Sequence, residues 1–319
     1  MGLVFAFLSA VSYAGMAVLV RKATQRGGGD PGILVALFLN VVLHGTVVLA
    51  RSVSGVSVDW RAAALGLFVL SGVLTTLLGR AALYGGIRRL GPSRAAPLKN
   101  LAPFVSVAGA VAFLGERVSA LAAAGVVVAL AGYLLLMMGS YRRASLVDAL
   151  VAPVSDVAGP LPTAPSRWQR SRTTWLTTGT LMSVAAAVFY GSGTVVRRVG
   201  LDVLPDPYLA ALVSALGGGV AYLVYLAIRG DVGSTIAIAR QEMNPYFVYA
   251  GVLSTVGQLA NFLALFTAPV SHVAVVAASD TLLTLVLARL VLRSTERLDR
   301  WVWSSGLAVA GGAVLIALA

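Results

Sequence analysis

The feature that most constrains this chain is a series of ten apolar stretches, each close to the length needed to cross a bilayer. A membrane-spanning helix takes about 20 mostly apolar residues. Backbone groups find no water in the hydrocarbon core, so each stretch is expected to be helical. The predicted spans lie near residues 2–20, 32–50, 62–86, 92–114, 118–139, 174–196, 207–228, 246–267, 270–290 and 300–319. The sequence therefore predicts an all-α polytopic membrane protein.

The composition agrees with this fold class and excludes several kinds of site. Apolar residues make up 58% of the chain, charged residues only 11%, and the mean hydropathy is +0.89. Because cysteine is absent, disulfides, thiolate metal sites and cysteine nucleophiles are excluded, and with only two histidines a polyhistidine metal site is nearly excluded. The net charge of +12 comes from arginines at the ends of apolar stretches, which indicates membrane topology and lipid headgroup contacts. We expect no nucleic-acid partner, metal or cofactor.

One long polar segment, residues 140–173, separates the fifth and sixth spans. Its prolines and arginines predict a flexible linker, although residues 146–154 are apolar enough to lie on the membrane surface instead. Most Lys and Arg residues outside the spans fall on the same side of the membrane as this segment. The positive-inside rule therefore predicts that the linker is cytoplasmic and that both termini lie outside.

The two halves of the chain, residues 1–139 and 174–319, resemble one another at a shift of about 177 residues. Tyr13 then falls on Tyr190, and Gly79 falls on Gly257. Further pairs in the same order are Arg80 with Gln258, Ser93 with Ser271, and Glu116 with Glu296. Because five is an odd number of spans, the second copy must enter the membrane from the opposite side, which predicts two inverted five-helix repeats.

Two short motifs add a resemblance to a known family. The sequence Leu114-Gly115-Glu116-Arg117 follows a fourth span that contains Pro103, and LYGGIRRLGPSR, residues 83–94, precedes that span. Together with the five-plus-five arrangement, these motifs resemble the EamA-like transporters of the drug/metabolite transporter superfamily. The second half departs from the pattern, with Arg293-Ser294-Thr295-Glu296 in place of Leu-Gly-Glu and Thr281 near the place of the proline.

The resemblance implies export or exchange of a small polar metabolite, such as an amino acid, by alternating access across the cell membrane. It implies a site between the halves near the bilayer midplane. Members of the family more often keep both termini in the cytoplasm, whereas the distribution of Lys and Arg places the termini of this chain outside. A flippase or transporter of a lipid-linked or phosphorylated substrate is the alternative. An intramembrane enzyme is disfavoured because paired aspartate-rich or protease motifs are missing. The expected partners are a small-molecule substrate, membrane lipids and, in one interpretation, a second copy of the chain.

Polar residues inside the spans are the candidate site, because ionisable groups in lipid are costly and usually face a partner or a cavity. Lys99 and Asn100 in the fourth span and Ser279 and Asp280 in the ninth lie at nearly equivalent places in the repeat. Three interpretations stay open for them: a structural Lys99–Asp280 ion pair, contacts to a zwitterionic or anionic substrate, and a protonation switch at Asp280.

A second set of polar residues shares helix faces at spacings of three or four residues. Each is either a cavity contact or an ordinary interhelical hydrogen bond. This set comprises Asn40 with His44, Arg80 with Tyr84, and Gln258 with Asn261. The matching tyrosines Tyr13 and Tyr190 either line the same cavity or pack in the core. Glu116 and Glu296 are expected to cap or pair locally, and the recurring glycines of the fifth and tenth spans to pack helices closely, within one molecule or across a dimer.

Overall fold

The computed structural model describes residues 1–24, 32–55, 60–90, 98–117, 119–147, 178–241 and 243–292, with scattered positions between 304 and 318. Regular structure in these residues is entirely helical. Six helices there are long and apolar enough to cross a membrane, and three shorter apolar helices lie beside them. The observed architecture agrees with the polytopic fold that the apolar stretches predict.

The first half contains five spans in the predicted order. The third is one continuous rod of three parts, with a π-helical segment at Val73–Gly79 between α3 and α4. The helices are α1 (Gly2–Thr24), α2 (Gly32–Val53), α3 (Ala62–Gly72), α4 (Arg80–Leu90), α5 (Ala102–Leu114) and α6 (Ala120–Val147).

The second half repeats this order with one short additional helix, α9, between its second and third spans. Helical residues among the described positions 304–315 follow the last complete helix. The helices are α7 (Thr178–Val203), α8 (Pro207–Arg229), α9 (Val232–Gln241), α10 (Pro245–Thr267), α11 (Val270–Ala277) and α12 (Asp280–Leu292).

Local sequence signals set several helix ends. Asp206 caps α8 by accepting hydrogen bonds from the backbone N–H groups of Tyr208 and Leu209, and proline follows directly at the first helical position. Asn244 with its following proline begins α10 in the same way. Gly115 and Gly230 end α5 and α8 at φ values of 63° and 72°, a conformation that glycine adopts without a side-chain penalty.

Two span boundaries differ from the sequence prediction. The fifth span continues as helix through residues 140–147, because no proline or other breaker interrupts the segment before Pro153. The predicted linker at 140–173 stays a prediction, because its residues from 148 lie outside the described part of the chain. The sixth span continues to Val203 instead of ending at 196, which brings Arg197 into the helix.

The halves pack crosswise. The first helix of each half lies along the third span of the other half, so α1 packs on α10 and α7 packs on the rod α3–π–α4. A Cβ placed on Gly257 would lie 3.4 Å from the Tyr13 ring, and one on Gly79 would lie 3.1 Å from the Tyr190 ring. The same tyrosine–glycine contact thus occurs twice, once in each direction, as two inverted repeats require.

The second helices follow the same crossed arrangement, with α2 against α10 and α8 against α3. Gly72 and Gly218 bring the α3 and α8 backbones close together, and the Ser71 and Ser214 hydroxyls lie 3.1 Å apart beside them. The predicted glycine contact of the last spans is present within one molecule, since a Cβ on Gly312 would lie 2.5 Å from the Gly125 carbonyl oxygen.

Candidate functional site

The site is built on breaks in the fourth and ninth spans. The helix of the fourth span is interrupted at Asn100 and Leu101, just before α5. The ninth span is interrupted at Ala278 and Ser279, between α11 and α12. The prolines do not explain both breaks, because Pro103 follows the first while the second has no proline nearby. Discontinuous helices at corresponding positions of two halves are the arrangement that transporters use to expose backbone groups near the midplane.

The two breaks position the polar residues that the sequence singles out there. Lys99 and Asn100 lie at the first break, and Ser279 and Asp280 lie at the second, all four partly exposed. At the second break, the Ser279 hydroxyl and the Ser279 N–H both donate to the Val276 carbonyl oxygen, at 2.7 and 3.1 Å.

Lys99 contacts a tyrosine of the other half. Its ammonium lies 5.3 Å from the centre of the Tyr190 ring, a cation–π contact between the fourth span of the first half and the first helix of the second. Ion pairs between described residues include Arg51–Asp206, Arg198–Asp202 and Arg229–Asp231, and the hypothesised Lys99–Asp280 pair stays a prediction.

Tyr190 is also the contact point for Arg80. The guanidinium of Arg80 lies within electrostatic range of the Tyr190 hydroxyl. Arg80 directly follows the π-helical segment, whose extra residue per turn changes the direction in which the following side chains point. The equivalent helix α10 is a regular α-helix throughout, so the two halves differ here.

Tyr13 occupies the corresponding place in the first half. Arg197, Arg80, Asp280 and Tyr190 all lie within electrostatic range of its hydroxyl. Both tyrosines lie deep in the bundle, yet each keeps part of its surface accessible. The two tyrosines and the charged residues near them therefore lie together where the two halves meet.

Arg197 is a central residue that the sequence reasoning missed. It is 8% exposed and donates to Asn261 Oδ1 at 3.1 Å and to Thr75 Oγ1 at 3.0 Å. Its guanidinium lies 4.9 Å from the Phe262 ring centre, and its Nε has no hydrogen-bond partner among the described residues. Helical spacing offered a signal, since Arg197 lies seven residues, or two turns, after Tyr190 on the same face.

Two of the remaining predicted residues, Asn261 and Asn40, make hydrogen bonds between helices. Asn261 is the Arg197 acceptor just described, and Gln258 is buried one turn before it on α10. Asn40 accepts a hydrogen bond from the Thr255 hydroxyl at 2.7 Å, which joins α2 to α10. The His44 ring is 1% exposed, and both of its nitrogens are without a hydrogen-bond partner in the described part of the chain.

Glu116 caps a helix of the opposite half. Its carboxylate accepts from the Val270 N–H at 2.7 Å, the Ser271 N–H at 3.1 Å and the Ser271 hydroxyl at 2.8 Å. A carboxylate at a helix N-terminus is favourable both as an acceptor and towards the helix dipole. Glu116 therefore holds α11, and with it the break at Ser279, in place; Glu296 lies outside the described residues.

This chain is similar to known proteins in three respects: a family profile, a related sequence and a solved structure. The profile of the EamA-like transporter family matches residues 1–138 and 177–318. An uncharacterized transporter of Bacillus subtilis (strain 168), YcbK, is 29% identical over 119 residues, so the alignment spans 36% of this chain and 38% of that protein. A crystal structure with 17% sequence identity superimposes with a TM-score of 0.68, covering 99% of this chain and 98% of the other.

The structural likeness supports the fold alone, and it confirms the predicted all-α polytopic membrane protein. The family match covers both halves and supports a membrane transporter, whereas the boundaries 1–139, 140–173 and 174–319 stay predictions. The chain belongs to the EamA-like transporter family.

Proposed function

We propose that this protein is a secondary transporter that moves a small polar metabolite, such as an amino acid, across the cytoplasmic membrane by alternating access. The observation that carries the proposal is the crossed packing of the halves, which brings Tyr13 and Tyr190 together with charged side chains of both halves. The direction is export or exchange, as the family resemblance implies.

The proposed mechanism follows from the breaks and the crossed helices. Lys99 and Asp280 sit where helices are discontinuous, so small rotations there change the surroundings of both groups without breaking a continuous helix. Each half contributes to both sides of the centre through α1 and α7. Rocking of one half on the other then opens the polar centre to one side of the membrane at a time.

The test uses vesicles because the substrate is unidentified. Purified protein is placed in liposomes loaded with a defined mixture of amino acids, organic acids and sugar phosphates, and the released solutes are identified by mass spectrometry. We expect selective release of one class of unchanged solute, reduced strongly by Lys99→Ala, while the exposed variant Arg240→Gln retains the parent rate. Release of nothing, or of a chemically altered product, would refute a transporter.

A further inference from the structure

We infer that the central site binds a small anion, one that carries a carboxylate or phosphate group; this deepens the proposed function and rests on it. Arg80, Lys99 and Arg197 converge on Tyr13 and Tyr190. The Asp280 carboxylate lies within electrostatic range of Tyr13. Three cations with one carboxylate leave the centre positively charged when all four groups are ionised.

The partners of the central cations differ from those of the peripheral arginines. Arg51, Arg198 and Arg229 each pair with an aspartate, at 2.7, 3.0 and 3.8 Å respectively. Arg197 directly precedes Arg198 in the chain but donates to an amide and a hydroxyl, while Lys99 lies on a neutral ring. Three arginines at the periphery thus pair with carboxylates, whereas the contacts just described for Arg197 and Lys99 are with neutral groups.

A charge buried without a counter-ion costs stability unless a ligand or cavity water compensates it. Arg197 keeps its charge at 8% exposure with only neutral acceptors among the described residues, and its Nε remains unpartnered there. A purely structural role would be served by uncharged groups at lower cost, as at the Thr255–Asn40 hydrogen bond. An entering anion would recover part of this cost through charge-assisted hydrogen bonds.

The tyrosines fit the same ligand. A phenolic hydroxyl donates one hydrogen bond, and Tyr13 and Tyr190 place two such donors beside the guanidinium groups. Planar guanidinium groups bind carboxylate and phosphate oxygens in preference to neutral oxygens, which gives the cluster a basis for selecting charge. A bound cation would instead meet three like charges, so the geometry disfavours it.

The binding test compares probes that differ only in charge. Thermal unfolding of the purified protein in an uncharged detergent is followed with succinate, its monoamide and its diamide. We expect stabilisation in that order, with half-maximal effect at a concentration at least tenfold lower for succinate than for the diamide. Equal stabilisation by all three, including none, would overturn the inference.

Two further ligands separate the sources of the anion. Inorganic phosphate that stabilises more strongly than succinate assigns the site to phosphate, and the reverse assigns it to carboxylate. Stabilisation by phosphatidic acid in the micelles, with none by either soluble anion, would overturn a small anion as ligand.

The variants test which residues bind the anion. Arg80→Gln introduces the residue that the second half already carries at the equivalent position, Gln258, so the fold has a precedent for it. Arg197→Gln removes the buried charge, and Arg240→Gln removes one exposed charge as the matched control. We expect at least tenfold weaker succinate or phosphate binding in the first two variants and an unchanged value in the control. Parent-like binding in Arg80→Gln and Arg197→Gln would contradict the assignment.

The vesicle assay keeps this inference separate from the transport proposal. If the vesicles release a neutral solute selectively and the protein binds the three succinate derivatives equally, the anion site is refuted and the transport proposal stands. If the protein binds the more negatively charged succinate derivatives more tightly but no solute crosses the membrane, transport is refuted and the anion site stands.

Discussion

Substituting Gly72 tests the crossed contact between α3 and α8. A Cβ there would contact the Ser214 carbonyl oxygen and lie 2.9 Å from the Gly218 nitrogen and 3.0 Å from the Ser214 carbonyl carbon. These neighbours are backbone atoms, which have no rotamer into which to move. Gly72→Ala therefore must push α3 away from α8.

The magnitude follows from three contributions. Overpacking costs about 1–3 kcal/mol, and separation of the helices also weakens the Ser71–Ser214 hydrogen bond, worth about 0.6 kcal/mol in membrane bundles. The higher helix propensity of alanine returns up to about 1 kcal/mol. We expect Gly72→Ala to lower the free energy of unfolding by about 2 kcal/mol, taking overpacking near its upper value.

The control lies on the same helix. A Cβ on Gly66 meets nothing within 4 Å, so Gly66→Ala is expected to leave stability unchanged or to raise it by up to about 1 kcal/mol. The free energy of unfolding is measured by titrating the protein in mixed micelles with a denaturing detergent. Equal stability of the two variants, or an equal loss in both, would refute the close contact.

Three smaller predictions use the same measurement. Glu116→Gln removes the charge that caps α11 and is expected to cost about 1–2 kcal/mol; a parent-like value would mean that the cap is not formed. Gly312→Ala is expected to lower the free energy of unfolding by about 1–3 kcal/mol, because its Cβ would meet the Gly125 carbonyl oxygen. The neighbouring Gly311→Ala is expected to cost less than about 0.5 kcal/mol, as a substitution at a surface position does. Similar losses in both variants would mean that Gly312 does not make the contact with Gly125. Arg51→Gln breaks a partly exposed ion pair with Asp206 and is expected to lower the free energy of unfolding by about 1 kcal/mol or less. High salt screens this pair in the parent, so the difference between parent and variant should shrink as salt is added. A larger difference that does not depend on salt would contradict the geometry.

The spans and their order as two repeats were predictable because hydrophobicity and residue spacing encode them. An apolar run of the required length has few structural alternatives in a membrane, and the matched order of Tyr13 with Tyr190 and Gly79 with Gly257 marks the repeat. The structure uses these same four residues at the two equivalent contacts.

Arg197 was not predicted because hydropathy treats a basic residue at the end of an apolar stretch as a boundary charge. The helix in fact continues to Val203, and its last turns lie inside the bundle where side chains of other helices accept hydrogen bonds. The second helix break was also unpredictable, since no proline marks Ala278 and Ser279. The position of Arg197 and the second helix break both depend on tertiary contacts, which local sequence patterns do not report.

Labelling tests most directly whether the seam between the halves holds a polar site that is reached from each side of the membrane in turn. The chain has no cysteine, so a single thiol introduced by Ser279→Cys reports only on the break between α11 and α12. Sealed vesicles with known protein orientation are treated with a membrane-impermeant maleimide from one face or the other, and Ser183→Cys, which replaces a fully buried residue, is the control. We expect the Ser279→Cys thiol to be labelled from either face and the control from neither; a Ser279→Cys thiol that stays unlabelled from both faces would contradict alternating access to this site.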